Sequence, residues 1–152
     1  MDLNTRGRYA VMAMADLTKN GVERAISLHE IAERQGLSEA YLGQIFASLR
    51  HAGLVVSVRG RGGGYQLARA AKHIMVSEVM AAVDEQTNMT RCGVGSTVGC
   101  VGNKPCLTHN LWAALGQHIE IFLARISLQD VIENGSSLHA ISGHLQIGIA
   151  AE

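Results

Sequence analysis

The apolar residues near the start of the chain recur with a helical period. We predict a first helix that is capped at its N-terminus by Thr5 and ends at Asn20, before Gly21. Threonine is a good N-cap, and an Asn-Gly pair is a common exit from a helix. The inward face of this helix is predicted from four apolar positions, namely Tyr9, Met12, Ala13 and Leu17.

Two shorter helical patterns follow, separated by a single glycine turn. The sequence from Ser27 to Glu30 has the spacing of a capping box, which predicts a second helix that ends at Gln35 before Gly36. Its predicted inward residues are Leu28, Ile31 and Ala32. Ser38 is a second good N-cap, and the helix after it should run towards Gly53 with Leu42, Ile45, Phe46 and Leu49 inward. Two short helices joined by a tight turn predict a helix-turn-helix.

After Gly53 the pattern changes from a helical period to one typical of strands. The β-branched run LVVSVR, a glycine-rich tip at 60–64 and then Tyr65-Gln66-Leu67 predict a β-hairpin. A helix-turn-helix followed by such a hairpin is a winged helix, a DNA-binding fold. The glycine run can also be compared with a nucleotide phosphate loop, but it lacks the lysine and hydroxyl residues of that motif and precedes a strand.

The winged-helix interpretation identifies candidate contacts to DNA. The third helix would offer side chains to the major groove and phosphates, and arginines of the wing would suit a minor groove. The predicted DNA-binding residues are Ser38, Tyr41, Gln44, Arg50, Arg59 and Arg61.

Helical patterns return in the C-terminal half. A short helix over 76–85, with Val79, Met80 and Val83 inward, should pack on the winged domain. From 107 to 126 apolar residues recur every three or four positions, which predicts a long helix; its stripe is Leu107, Leu111, Leu115, His118, Ile119, Phe122 and Ile126. This stripe could pack on its own winged domain, but we favour packing on a second copy of the chain, with His118 in packing or at that interface. Ser127 should cap a last short helix that ends before Gly135, and His139 and His144 are interpreted as tail residues.

Length, composition and charge narrow the class of protein. A chain of 152 residues suits one compact domain, or a small domain with an appended helix, and its apolar runs are too short to span a bilayer. The first ten residues lack a secretory pattern, so we expect a cytoplasmic protein. Residues 1–72 hold ten Lys and Arg against six Asp and Glu, a balance of +4, and the remainder is −4. This asymmetry favours an anion-binding N-terminal half.

All three cysteines lie in one glycine-rich stretch that ends with a histidine. Cys92, Cys100, Cys106 and His109 supply three thiolates and one imidazole, enough for the four-coordinate shell of zinc or an iron-sulfur centre. No close cysteine pair typical of structural zinc occurs, and the long glycine-rich gaps favour a cluster. Pro105 suits the first turn of a helix, which would place Cys106 and His109 on one helical face. The alternatives are a zinc site and three scattered core cysteines.

The combination of winged helix, cysteine-rich loop and long apolar helix resembles the family of IscR-like iron-sulfur-cluster-sensing regulators. The resemblance covers about residues 3–134 and is carried by RGRYAV at 6–11, ERQG at 33–36, GLV at 53–55, VRG at 58–60, GGGY at 62–65 and VDE at 83–85. It implies a homodimeric regulator, acting as repressor or activator, that binds a palindromic operator in double-stranded DNA. It also implies a 2Fe-2S cluster held by Cys92, Cys100, Cys106 and His109, which senses cluster supply and controls cluster-assembly genes. Nitric-oxide-sensing relatives lack that histidine, and in some an acidic residue of the first helix completes a 4Fe-4S cluster; here that position is Arg8.

Two departures from the family pattern affect what is expected of this chain. The interval between Cys92 and Cys100 is longer than the family's usual one, so the loop geometry should differ. The recognition helix has Ala40 and Gly43 where the family often has serine and glutamate, which puts the preferred DNA sequence in question. An electron-transfer or cluster-carrier protein is the alternative function, but it would have no use for a basic wing. The sequence shows no pair of nucleophile and base that would indicate an enzyme.

The expected fold class is mainly α with a small β-hairpin wing. The predicted organisation is a winged helix-turn-helix domain at 1–85, a cluster-binding loop at 86–109, dimerisation and C-terminal helices at 107–135, and a mobile tail at 136–152.

Overall fold

The computed structural model describes residues 5–83 and 105–133, and its architecture is mainly helical with one two-stranded antiparallel sheet. This confirms the predicted fold class. The elements of the described residues are α1 Thr5–Asn20, α2 Leu28–Gln35, α3 Glu39–His51, β1 Val55–Val58, β2 Gly64–Leu67, a 3-10 turn Ala71–His73, α4 Val76–Ala82, α5 His109–Leu123 and α6 Leu128–Glu133.

The helix-turn-helix is defined by its predicted caps. Ser27 and Glu30 form the capping box of α2, with the Ser27 amide donating to the Glu30 carboxylate at 3.0 Å. Gly36 ends α2 with φ 64°, a left-handed conformation that costs glycine little. The hydroxyl of Ser38 then accepts from the Tyr41 amide and begins α3. Two capped helices around one glycine turn therefore form as the sequence predicts.

The core lies between α1 and the helix-turn-helix. All four residues of the predicted α3 stripe are fully buried, as is Ile31 of α2, whereas Leu28 and Ala32 are partly buried against the core. The predicted face of α1 is only partly correct: Tyr9 is partly buried against the core, but Met12 is partly exposed and is not among the residues that pack on it. The buried positions of α1 include Ala10, Ala13, Met14 and Leu17. This helix contacts α2, α3, α4 and α6, so a broader face with small alanines is covered. Thr5 is itself helical and does not stand before the helix as its cap.

An isolated β-bridge between Ile26 and Tyr65 joins the hairpin to the segment between α1 and α2. β1 and β2 pair antiparallel, with Val55 opposite Leu67 and Val58 opposite Gly64. On the other side of β2, Ile26 and Tyr65 exchange both backbone hydrogen bonds, at 3.0 and 2.8 Å. Gly64 adjoins this bridge with φ 153°, and a Cβ there would lie 2.2 Å from the Ile26 carbonyl oxygen. Only glycine fits at this close approach.

A buried carboxylate connects α1 to α2. The side chain of Asp16 is 2% exposed and accepts a forked pair from Arg34, with the shortest distance 2.6 Å from Nη2 to Oδ1. Gln35 Nε2 donates to Asp16 at 2.7 Å and Asn20 Nδ2 at 3.3 Å. Burial raises the pKa of Asp16, but the hydrogen bonds from Arg34, Gln35 and Asn20 outweigh it, so the pKa lies below its usual 3.8. The sequence pattern did not reveal this cluster.

The chain returns from α5 to the winged domain. Val76 N–H donates to Ile126 O at 2.8 Å and Leu128 N–H to Ile74 O at 2.9 Å, so Met75 and Ser127 form an antiparallel bridge. Ser127 caps α6 as predicted, because its hydroxyl accepts from the Asp130 amide at 3.2 Å. Leu128 is fully buried in the same cluster as α1 and α3. Residues far apart in sequence therefore share one core.

Helix α5 begins later than the sequence predicted. It starts at His109, with Pro105 and Cys106 before it and a turn at 107–108. The expectation that Cys106 and His109 share one helical face is therefore wrong, because proline here precedes a turn and not the helix. Near its C-terminal end Phe122 and Leu123 pack on α4, but much of the remaining apolar surface is exposed.

Across residues 5–83 and 105–133, none of the helices combines the length and apolar character that crossing a membrane requires. Residues 84–104 and 134–152, which include Cys92, Cys100, His139 and His144, lie outside the described residues.

Candidate functional site

Four of the residues predicted to bind DNA lie on α3 or at its N-cap. Gln44 and Arg50 are exposed on this helix. Ser38 is also exposed, but its hydroxyl already accepts the Tyr41 amide at 3.4 Å as the helix cap. The Tyr41 ring is half-buried and meets the Tyr9 ring edge-on with centroids 6.1 Å apart. Of these four residues, Gln44 and Arg50 are therefore the more available to a ligand, whereas Ser38 and Tyr41 also hold the helix in place.

The face of α3 around Gln44 is unusually bare. Ala40 and Ala47 are exposed, and Gly43 lies beside them. A helix with such small side chains can approach a flat or grooved partner closely. Because alanine and glycine side chains cannot form hydrogen bonds, Gln44 is the main hydrogen-bonding group in the middle of this face. A carboxamide both donates and accepts, as bidentate recognition of adenine requires.

The wing tip is basic and tightly turned. Gly63 N–H donates to Gly60 O at 2.9 Å, and Gly60 and Gly62 have φ of 101° and 79°. This turn places Arg61 at the tip, next to Arg59, and both arginines are exposed. Exposed guanidinium groups on a narrow projection suit phosphates or a minor groove.

A hydrogen bond also connects α1 to the back of α3. Arg6 Nη2 donates to Ser48 Oγ at 3.3 Å. Together with the Asp16 cluster, it ties the first helix to both helices of the helix-turn-helix. No pattern in the sequence indicates these supporting hydrogen bonds, although the residues of the Asp16 cluster lie in the ERQG segment and in the last turns of α1.

Cys106 and His109 stand together where α5 begins. His109 N–H donates to Cys106 O at 3.0 Å, which closes a tight turn between the two residues. Cys106 is exposed and His109 is buried. Hydrogen bonds from the Thr108 hydroxyl, and then from the Thr108 amide, lower the pKa of the Cys106 thiol below its usual 9.0. A thiol with a lowered pKa and an imidazole three residues away are both suitable donor types for iron or zinc.

This donor pair fits half of the predicted ligand set. Within the described ranges no three histidine, cysteine or acidic residues are grouped as a metal site. Because Cys92 and Cys100 fall outside those ranges, the four-ligand set stays a prediction. What the described half adds is an accessible thiol and an imidazole anchored on a helix.

Two residues next to these candidate ligands, Thr108 and Trp112, were not singled out from the sequence. Trp112 Nε1 donates to Thr108 Oγ1 at 3.2 Å, and the same oxygen lies 3.5 Å from Cys106 Sγ. The available signal was the four-residue spacing from Thr108 to Trp112, which brings two side chains together at the start of a helix.

Comparison with known proteins identifies the family to which this chain belongs. The profile of the Rrf2 family, described as iron-dependent transcriptional regulators, matches residues 3–134. The regulator IscR of Xenorhabdus nematophila is 49% identical over 134 residues, covering 88% of this chain and 80% of that protein.

Solved structures agree with the fold. IscR of T. potens aligns with a TM-score of 0.71 and 39% identity, covering 87% of this chain and 86% of that one. CymR, the global cysteine regulator of B. subtilis, aligns with a TM-score of 0.74 and 30% identity, covering 87% of this chain and 96% of that one. These relatives are regulators, so the prediction of a regulator and not an enzyme is confirmed. The chain belongs to the Rrf2 family, as a DNA-binding transcriptional regulator of the IscR type.

Proposed function

We propose that this regulator is a homodimer that holds a 2Fe-2S cluster through Cys92, Cys100, Cys106 and His109. Through that cluster it senses cluster supply and controls iron-sulfur cluster assembly genes from a palindromic operator. It would act in the cytoplasm, where thiols stay reduced and available as ligands. The observation that carries the proposal is the pairing of an accessible thiol with a buried imidazole at the start of α5, in a chain of this family.

The chain's own residues supply the donors and their anchor. Cys106 offers an exposed thiol whose pKa is lowered by hydrogen bonds from Thr108, and His109 is held by burial and by its backbone bond to Cys106. A bound cluster would supply a redox-active and labile group at this position. Because His109 is the first residue of α5, holding it fixes the start of that helix.

The apolar surface of α5 supports the proposed dimer. Leu111 is 61% exposed, and Trp112 and Ile121 are also exposed, on a helix whose winged-domain contacts lie near its C-terminal end. Burying such a stripe against a second copy removes apolar area from water, at roughly 25 cal/mol per Å². A twofold dimer would also match a palindromic operator, whose half-sites lie about 34 to 36 Å apart on one face of the DNA.

Metal analysis tests the cluster. Anaerobically purified protein should be coloured and contain about two irons and two sulfides per chain, as one binuclear cluster requires. Cys92→Ala should lose iron and sulfide yet keep the helical circular dichroism of the parent. A colourless parent with one zinc per chain would refute the cluster and favour a structural metal.

DNA selection tests the sensing role. The parent with cluster, the parent without it and Cys92→Ala should be compared on one pool of random duplexes. We expect the two cluster-free samples to agree with each other and to differ from the loaded parent in affinity or preferred sequence. Identical results for all three would mean that the site senses nothing.

Sedimentation equilibrium tests the dimer. Leu111→Glu should give monomers, because a carboxylate would have to be desolvated in the apolar interface. Val22→Glu is the matched control, since Val22 is 81% exposed in the loop between α1 and α2 and is not expected at the interface. A dimeric Leu111→Glu protein would refute α5 as the contact.

A further inference from the structure

The hydroxyl of Thr108 lies between a candidate ligand and an indole. Its oxygen is 3.5 Å from Cys106 Sγ and accepts from Trp112 Nε1 at 3.2 Å. Thr108 is neither one of the four predicted ligands nor a contact to DNA. Its position raises the question of where its single proton points.

Once Cys106 is ionised, the donors and acceptors around the Thr108 hydroxyl fix the direction of its proton. A hydroxyl has one proton and two lone pairs, whereas an indole N–H can only donate. Trp112 therefore occupies a lone pair of the Thr108 oxygen and leaves the proton available. A thiolate has no proton to give, so between sulfur and oxygen only the hydroxyl can donate.

We propose that Thr108 is a positioning residue that donates its hydroxyl proton to the Cys106 thiolate, is oriented by Trp112, and so adjusts the reduction potential of the bound cluster. This inference rests on the proposed function. Hydrogen bonds to the sulfurs are among the features that set cluster potentials, and partners of metal ligands orient and tune them. A donor stabilises the more negatively charged, reduced state, so its removal should make the potential more negative.

The first test detects the hydrogen bond from Thr108 to Cys106 in protein that contains no cluster. In the full chain with Cys92→Ser and Cys100→Ser, Cys106 is the sole remaining thiol of the three. Its alkylation rate with iodoacetamide at neutral pH reports the thiolate. Adding Thr108→Val removes the hydroxyl at nearly constant shape and should lower the thiolate fraction. The greater nucleophilicity of a more basic thiolate recovers part of this, so the rate should fall about threefold.

Two further variants distinguish this role from simple packing. Thr108→Ser keeps the hydroxyl and should alkylate at the rate of the same background with Thr108. Trp112→Phe keeps an aromatic ring but removes the indole N–H, and the rate should fall by less than for Thr108→Val. Unchanged alkylation in Thr108→Val would overturn the proposal, and so would an equal loss in Thr108→Ser.

The second test uses the otherwise unaltered protein with its cluster. Thr108→Val should keep the iron and sulfide content of the parent, while its midpoint potential moves to more negative values and Thr108→Ser restores it. An unchanged potential with full cluster content would overturn the tuning role alone. A parent that binds no iron or sulfide would overturn the proposed function and the tuning role with it, and the alkylation rates would still show whether the hydrogen bond exists.

Discussion

Replacing Arg34, whose partner Asp16 is buried, should lower the free energy of unfolding far more than replacing an arginine in an equally short but exposed ion pair. The Asp16 carboxylate beneath Arg34 is 2% exposed, and Arg34 itself is 35% exposed. Breaking a buried pair by deleting one partner typically costs about 3–5 kcal/mol, because the other charge remains in the protein. Since Gln35 and Asn20 still donate to Asp16 and Arg34 is partly solvated, we expect about 3 kcal/mol for Arg34→Ala.

The matched control is Arg24→Ala. Arg24 Nη2 and Glu30 Oε1 are also 2.6 Å apart, but the two side chains are 60% and 30% exposed. An exposed pair of that kind contributes little to stability, because water screens both charges. Urea unfolding of both variants, followed by circular dichroism, measures the difference. Equal losses would refute the argument that burial, and not distance, decides the strength of these pairs.

The pH dependence provides an independent check. The pKa of Asp16 is depressed, so its contribution to stability is fully present above its unfolded value, near 3.8, and is lost as the pH falls through the lower folded value. In Arg34→Ala burial is opposed by fewer donors, so the pKa of Asp16 should rise and the carboxyl should accept a proton more readily. The free-energy gap between parent and Arg34→Ala should therefore narrow below about pH 4. A gap that stays constant there would show that the loss is one of packing.

Four further variants test the wing and the recognition helix. Gly64→Ala should cost about 3 kcal/mol or more, because its Cβ would meet the Ile26 carbonyl oxygen at 2.2 Å; an unfolding midpoint equal to the parent's would contradict that close approach. Gly43→Ala should instead stabilise by about 1 kcal/mol in the same assay, since the added Cβ would meet only Leu28 Cδ1 of α2 at 3.9 Å, an ordinary contact. Arg59→Ala should weaken binding to a selected operator by about 1 to 3 kcal/mol in a fluorescence anisotropy titration, and parental affinity would count against the wing contact. Gln44→Ala should relax base preference at one position of each half-site when the random-pool selection is repeated, and an unchanged preference would count against its reading role.

Local signals predicted most of the DNA-binding fold. Capping at Ser27 and Ser38 and the glycine at 36 act within a few residues, so they fix where α2 and α3 begin and end. The burial of Phe46 and the other α3 core residues followed from a clean helical period. These features depend on the chain nearby and can be read without knowing its neighbours.

The errors arose where distant segments decide the outcome. The face of α1 was misjudged at Met12, because four other helices contact α1 and decide which of its positions are covered. The bridge of Ile26 to Tyr65 is a single residue pair, which leaves no strand pattern. Pro105 is compatible with a first helical turn, but it is equally compatible with the turn that precedes His109. The four-ligand set and the dimer depend on residues or partners beyond the described part of the chain, and they stay predictions.

The fully buried Leu128 has a consequence for how the protein is made. Synthesis releases the N-terminal helices first, but their core also contains this leucine, which follows the cysteine-rich segment and α5 in the sequence. A Leu128→Ala cavity would cost on the order of 2–5 kcal/mol, so the core is incomplete until α6 has left the ribosome. By then every cysteine has already been translated. The DNA-reading half of this regulator therefore completes its folding only after its thiols have emerged and can be loaded.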